Sequence, residues 1–132
     1  MNESGSGSLV LIVEDNDKNL KLARDVLRFH GFRTIEATNG EDGVLMAREA
    51  HPDLVLMDIA LPGIDGVEAT RRLKAEVATT SIPVVALTAS LMQSDRARFD
   101  AAGFAGLIAK PIDVLKFPEQ VLGYCRPARS EA

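Results

Sequence analysis

The chain is poor in several things that would direct its reading elsewhere. It has a single cysteine, Cys125, so no disulfide can close within it, and such sparing use fits a reducing compartment. It has no run of lysines and arginines, and its net charge is -4, which speaks against nucleic acid as a partner because phosphate backbones need a basic face. No apolar stretch approaches the ~20 residues that a membrane helix requires. Met1 to Ser8 lack both the basic start and the apolar core of a secretory signal. The expected location is therefore cytoplasmic. Asn2 to Gly7 read as a flexible Gly/Ser leader or a cloning scar. There are no internal repeats. At 132 residues the length fits one domain, expected over residues 9–124, with a leader at 1–8 and a tail at 125–132.

What is present is an alternation of short apolar runs and amphipathic stretches. Strand one is Leu9 to Val13, and helix one runs from about Asp17 to His30. Leu20, Ala23, Leu27 and His30 form the stripe of that helix, Leu22, Val26 and Phe29 lie beside it, and Gly31 stops it. His30 reads as an ordinary helix-end residue and Cys125 as a plain, partly buried thiol. Strand two is Phe32 to Ala37, and helix two covers Glu41 to Ala50. Gly43 inside helix two costs about 1 kcal/mol relative to alanine unless it permits close packing. Strand three is Leu54 to Asp58, and helix three runs from Gly66 to Glu76 with Asp65 as its cap. Strand four is Ile82 to Leu87, helix four runs from about Leu91 to Ala102, and strand five is Ala105 to Ala109. A fifth helix follows, with Asp113 as its N-cap. Five repeats of strand and helix point to an α/β fold with one parallel sheet covered on both sides. Right-handed crossovers favour a flavodoxin-like (βα)5 three-layer sandwich with strand order 2-1-3-4-5, and its ligand site lies beyond the carboxyl ends of strands one and three.

Those two strand ends carry acids. Leu54-Val55-Leu56-Met57 runs into Asp58, and strand one runs into Glu14-Asp15. An aspartate is costly at the end of a strand buried on both faces. Three converging carboxylates repel, which raises their pKa values, and a divalent cation relieves the repulsion. Hard oxygen ligands with room for water suit Mg2+. Thr88 and Lys110 follow strands four and five. A hydroxyl and an ammonium facing carboxylates and a metal make a site for a phosphoryl group, with Asp58 as the nucleophile.

Five pieces now stand in order: Val13-Glu14-Asp15-Asn16, Pro52 to Asp58, Leu61-Pro62-Gly63-Ile64-Asp65-Gly66, Ala86-Leu87-Thr88-Ala89 and Lys110-Pro111. In this order and spacing the chain resembles the receiver domain of two-component response regulators, from residue 9 to about 124. The single-domain cell-fate and cell-division regulators are the most similar kind; a receiver excised from a hybrid kinase or a multidomain regulator is the alternative. The resemblance implies that Asp58 accepts a phosphoryl group from the phosphohistidine of a sensor histidine kinase or a phosphotransfer protein, and that the chain is a signalling phosphoprotein rather than a turnover enzyme. It implies Mg2+ bound by Asp15, Asp58 and the backbone carbonyl of Ala60, with Glu14 acting through water. It implies that Thr88 moves toward the phosphoryl group, that Lys110 pairs with Asp58 or the phosphate, and that Lys110-Pro111 is a cis peptide, a form X-Pro bonds take only about 5–6% of the time. A downstream protein partner is expected on the helix four, strand five and helix five face or on the helix one face.

The chain departs from the family in three places. Leu107 stands where an aromatic switch residue is usual, and Phe104 faces another way. Ala60 and Ser90 are small, which leaves a hydrolytic water access to Asp58. Pro118 falls near the fifth position of helix five if Asp113 caps it, so the helix begins late or has an irregular first turn. Val114, Phe117, Val121 and Leu122 are expected in the core. Plain alternatives accompany the site: Asp15 as a helix cap, a role open also to Asn16 and Asp17, Thr88 as a strand end and Lys110 as a solvated lysine. Asp53, Asp65 and Asp113 read as caps and turns. Two other classes fit poorly. A haloacid dehalogenase phosphatase needs a second acid where Ala60 stands, and a flavodoxin-like electron carrier would not place Glu14 to Asp17 against a phosphate.

Overall fold

Consecutive apolar residues in a strand send side chains to both faces of a sheet, so both faces must be covered. The computed structural model shows this arrangement. It describes residues 7–89 and 92–125; the leader to residue 6, Ser90, Leu91 and the tail from residue 126 lie outside the described residues. The elements are β1 (Leu9–Val13), α1 (Asp17–Phe29), β2 (Arg33–Ala37), α2 (Gly40–Ala50), β3 (Leu54–Asp58), α3 (Gly66–Ala75), β4 (Val84–Thr88), α4 (Gln93–Ala102), β5 (Gly106–Ala109) and α5 (Phe117–Tyr124). All pairings are parallel, in the order β2-β1-β3-β4-β5.

Alternate strand residues build two cores. Leu11, Val13, Val55, Met57, Val84 and Ala86 pack with α2, α3 and α4. Val10, Ile12, Leu54, Leu56, Val85, Leu87 and Ile108 pack with α1 and α5. Gly43 earns its place here, because a Cβ on it would stand 2.8 Å from Val13 Cγ2. Asn16, rather than Asp15 or Asp17, caps α1 by accepting from Asn19 N–H at 3.0 Å. Asp65 caps α3. Asp53 Oδ2 accepts from Leu9 N–H at 2.9 Å, tying the entry of β3 to β1. Cys125 is half-buried, and burial, with the Asp53 charge, pushes its thiol up to about 11, so it is unreactive near neutral pH.

Two expected core residues, Val114 and Leu122, lie at the surface, as do two residues flanking the α1 stripe. Leu22 and Phe29 of α1 are exposed, because only the Leu20, Ala23 and Leu27 stripe reaches the sheet. Val114 and Leu122 are 45% and 40% exposed, while Phe117 and Val121 are fully buried. The reason is the late start of α5. Asp113 caps a turn through Leu115 N–H, the helix itself begins at Phe117, and Pro118 falls in its first turn, where proline is tolerated. Helix α4 opens at Gln93 among the described residues. Phe104 is buried edge-to-face on Phe99 at 5.6 Å.

The segment between α3 and β4 is strapped to α3. Thr79, fully buried, donates its hydroxyl to Leu73 O at 2.6 Å, and Lys74 Nζ donates to Thr80 O and Ile82 O. Thr79→Val is expected to cost about 1–2 kcal/mol, because it leaves a buried carbonyl short of a donor. Thr70 Oγ1 is buried without a hydrogen-bond partner, so Thr70→Val is expected to be neutral or stabilising. Urea unfolding of the two isosteric variants checks the contrast; equal losses would contradict it.

Candidate functional site

The site forms where β1 and β3 end side by side. Val13 pairs with Met57, so Glu14 and Asp58 emerge at one level. Glu14 N–H continues the ladder to Ala37 O at 3.0 Å, which fixes its backbone. Asp58 is the last residue of β3, and its neighbour in register on β4 is Leu87. Both acids are buried, at 2% and 3% exposure, while Asp15 is exposed. One ligand atom from each of Glu14, Asp15 and Asp58 lies within 4.8 Å of the others.

Lys110 enters this cluster from the end of β5. Its Nζ lies 3.1 Å from Glu14 Oε1 and 3.3 Å from Asp58 Oδ1. Two backbone donors hold the carboxylates in place. Asn16 N–H donates to Glu14 Oε2, and Ala60 N–H donates to Asp58 Oδ1, each at 3.1 Å. Thr88, the last residue of β4, is buried, and its carbonyl accepts from Lys110 N–H at 2.9 Å. The hydroxyl and the ammonium therefore ride on strand ends that are bonded to each other. Lys110-Pro111 is cis.

Burial is the largest influence on Glu14 and pushes its carboxyl up. The Asn16 N–H pulls it back in part, the Asp58 charge adds to the rise, and the result stands above the ordinary carboxylate value. Burial pulls the Lys110 ammonium down, but Glu14 and Asp58 together outweigh it, and Lys110 is held above the ordinary lysine value. Two buried carboxylates thus share one ammonium, with a third, Asp15, beside them. A set of hard oxygen donors with an incompletely balanced negative charge fits a small divalent cation.

Helix α3 presses against this end of the sheet. Gly66 N–H donates to Ile59 O at 3.1 Å, and a Cβ on Gly66 would collide with the carbonyl of Asp58. The glycine is required by this approach, a need not visible from its place in the Leu61 to Gly66 loop or at the start of helix three. The role of the Ala60 N–H was missed for a different reason: every residue but proline carries that donor, so the side chain gives no sign of it. The Lys110 contact with Glu14, shorter than that with Asp58, was also unforeseen. Among the expected residues, Glu14, Asp15, Asp58 and Lys110 come together, with Ala60 beside Asp58 and Thr88 joined to Lys110 through the backbone. Leu107 does not; it packs on the core shared by α2, α3 and α4. Ser90 lies outside the described residues.

Two expectations follow from this geometry. Gly66→Ala is expected to destabilise the fold by about 3 kcal/mol, since the overlap with backbone outweighs the better helix propensity of alanine; a thermal melt reads it. The second concerns pH. A carboxyl whose pKa is raised by folding stabilises the fold fully below its unfolded pKa, and that contribution is lost as pH rises through the folded value. Metal-free protein is expected to lose stability as pH climbs past the usual carboxylate range, and Glu14→Gln to flatten that limb. Urea melts between about pH 4 and about pH 8 measure both slopes, and identical slopes would contradict the assignment.

Comparison with known proteins agrees with this architecture. The family model of the response regulator receiver domain matches residues 10–121. A polar-differentiation response regulator DivK from Brucella ovis is 44% identical over 115 residues, covering 87% of this chain and 94% of that protein. Among solved structures, the receiver domain of a sensor histidine kinase from Pseudomonas aeruginosa PAO1, with a magnesium ion coordinated in its active site cleft, is 34% identical with a TM-score of 0.80, covering 88% of this chain and 94% of that one. A response regulator structure from Chloroflexus aurantiacus is 29% identical with a TM-score of 0.84, covering 89% of this chain and 97% of that one. A parallel sheet ending in clustered acids, matched along nearly all of its length, places the chain in the response regulator receiver family, whose members are signalling proteins and not turnover enzymes.

Proposed function

We propose that residues 9–124 act as a phosphorylation switch in which Asp58 is the acceptor. One observation carries this reading: a single ammonium, Lys110 Nζ, bridges the buried carboxylates of Glu14 and Asp58 while Asp15 stands within ligand distance of both. An incoming phosphoryl group brings charge that this site can balance. One carboxylate oxygen of Asp58 attacks phosphorus, and the bond from phosphorus to the donor's histidine nitrogen breaks in line with it. Lys110 compensates the charge on the transferred oxygens, and the Thr88 hydroxyl donates to one of them. The Ala60 N–H holds the Asp58 carboxylate in place for attack. Asp15, Asp58 and the Ala60 carbonyl would hold Mg2+, with Glu14 reaching it through water. Bound there, the ion supplies further neutralisation of the phosphoryl oxygens.

The donor is a sensor histidine kinase or a histidine phosphotransfer protein. An apolar recess lined by Leu22, Ala23, Pro111 and Ile112 opens beside Glu14 and Lys110. With the exposed Leu22 on α1 and Leu115 beyond β5, it supports docking of a partner next to the acceptor. The α4, β5 and α5 face is the second candidate for a downstream protein. No helix among the described residues is long and apolar enough to cross a membrane.

Incubation with acetyl phosphate and Mg2+, read by intact mass, tests the proposal. Wild type is expected to gain one phosphoryl group, and Asp58→Asn to gain none while keeping a native circular dichroism spectrum. An undiminished gain in the variant would place the acceptor elsewhere.

A further inference from the structure

After Asp58 the chain turns back through a loop from Ile59 to Asp65. The base of the loop is closed, because Gly66 N–H donates to Ile59 O at 3.1 Å and Asp65 caps α3. Its outer part, Pro62 and Gly63, is exposed. Two apolar side chains hold the loop down. Leu61 is buried in the core shared by α2, α3 and α4. Ile64 is half-buried on the same core and rests on Gly40, the first residue of α2. Gly40 is buried, and a Cβ on it would stand 2.8 Å from Ile64 Cγ1 and 3.1 Å from Ile64 O. Gly43, one turn further on, makes the same kind of room for Val13. Helix α2 thus carries two notches, one for β1 and one for the loop that follows β3. The helix is itself fixed to this end of the sheet. Asn39 caps it by accepting from Asp42 N–H at 2.8 Å, and Ala37, just before, accepts from Glu14 N–H.

The same loop carries Ala60. Its N–H reaches Asp58 Oδ1 at 3.1 Å, toward the long end for such a bond, so a small displacement weakens it. A side chain at position 40 would crowd both the side chain and the backbone carbonyl of Ile64, and the loop would have to lift there. With the base of the loop held, that strain falls on the residues between, Ala60 among them. We infer that Ile64 is a positioning residue for the site: seated on Gly40, it sets where the Ala60 amide and carbonyl stand relative to Asp58. It acts through Ala60 and touches neither a cation nor a phosphoryl group. Gly40 is the other half of the joint. The consequence for cation binding rests on the proposed roles of Asp58 and Ala60; the consequence for the Ala60 N–H does not.

Hydrogen exchange at the Ala60 amide, resolved by NMR, and calorimetric titration of Mg2+ test this together. Ile64→Ala and Gly40→Ala are each expected to speed exchange at Ala60 about fivefold, the loss of one modest hydrogen bond. Each is expected to weaken Mg2+ binding about tenfold, as loss of support behind a ligand does. Amides within β1 and β3 are expected to keep their wild-type protection. Ile64→Val, which keeps a branched side chain in the notch, is expected to match wild type in both readouts. In the double variant the free-energy losses are expected to sum to less than the two single losses, because both remove one contact. Unchanged exchange and unchanged Mg2+ binding in a natively folded Ile64→Ala would overturn the inference. So would faster exchange spread evenly over β1, β3 and Ala60, which is what general destabilisation gives. Ile64→Ala decides the matter even if Gly40→Ala fails to fold. Absence of Mg2+ binding in wild type would remove the cation site, with the joint still decided by exchange at Ala60.

Discussion

Everything at the carboxyl end of the sheet depends on one ammonium. Lys110 Nζ lies between Glu14 and Asp58, two carboxylates that are almost wholly buried. Burying like charges together is unfavourable, and removing either partner of such a contact leaves an uncompensated charge. The arrangement persists because the fold over-determines it. Glu14 is fixed by the ladder to β2 and by the Asn16 N–H, Asp58 by the Ala60 N–H, and Lys110 by its backbone bond to Thr88. Five strands thus deliver a charge cluster that is held in place and incompletely balanced.

Incomplete balance is what makes the cluster useful. A site already neutral would gain little from a dianionic guest and a cation. Under the proposed function, the added charges would enter a region where Lys110 already faces two carboxylates, and a phosphoryl group would compete for it. Moving a two-state domain from 1:99 to 99:1 takes about 5.5 kcal/mol of differential stabilisation. Contacts to an ammonium, a buried hydroxyl and a metal, made in only one state, are of the right kind to supply it. The ends of β4 and β5 are bonded to each other through Lys110 N–H and Thr88 O, so under the proposed function a shift of either residue would be shared by both strands.

Much of this was legible in the residues. Strands of consecutive apolar side chains gave the parallel sheet, and an acid at the end of such a strand stood out as costly enough to require a purpose. Pro118 foretold the late start of α5. Helix periodicity marks a stripe, and the positions flanking it, such as Leu22 and Phe29, reach the sheet only if the helix is rotated toward them. Val114 and Leu122 were assigned to a helix that begins four residues beyond the cap expected for it. What stayed hidden was backbone. The Ala60 and Asn16 N–H donors and the closeness of Gly66 to the Asp58 carbonyl depend on how the chain turns after each strand, and side-chain identity carries little information about that. The fold and the identity of the acids were open to inspection; the way the acids are held was not.

The central claim is convergence: acids from two strand ends act on one cation beside Lys110. Calorimetric titration of Mg2+ into wild type and into Asp15→Asn tests it most directly, because Asp15 is exposed and its replacement leaves both cores untouched. The account expects saturable binding to a single class of site in wild type and its loss in the variant, with the fold intact. Equal binding by the two proteins would contradict it.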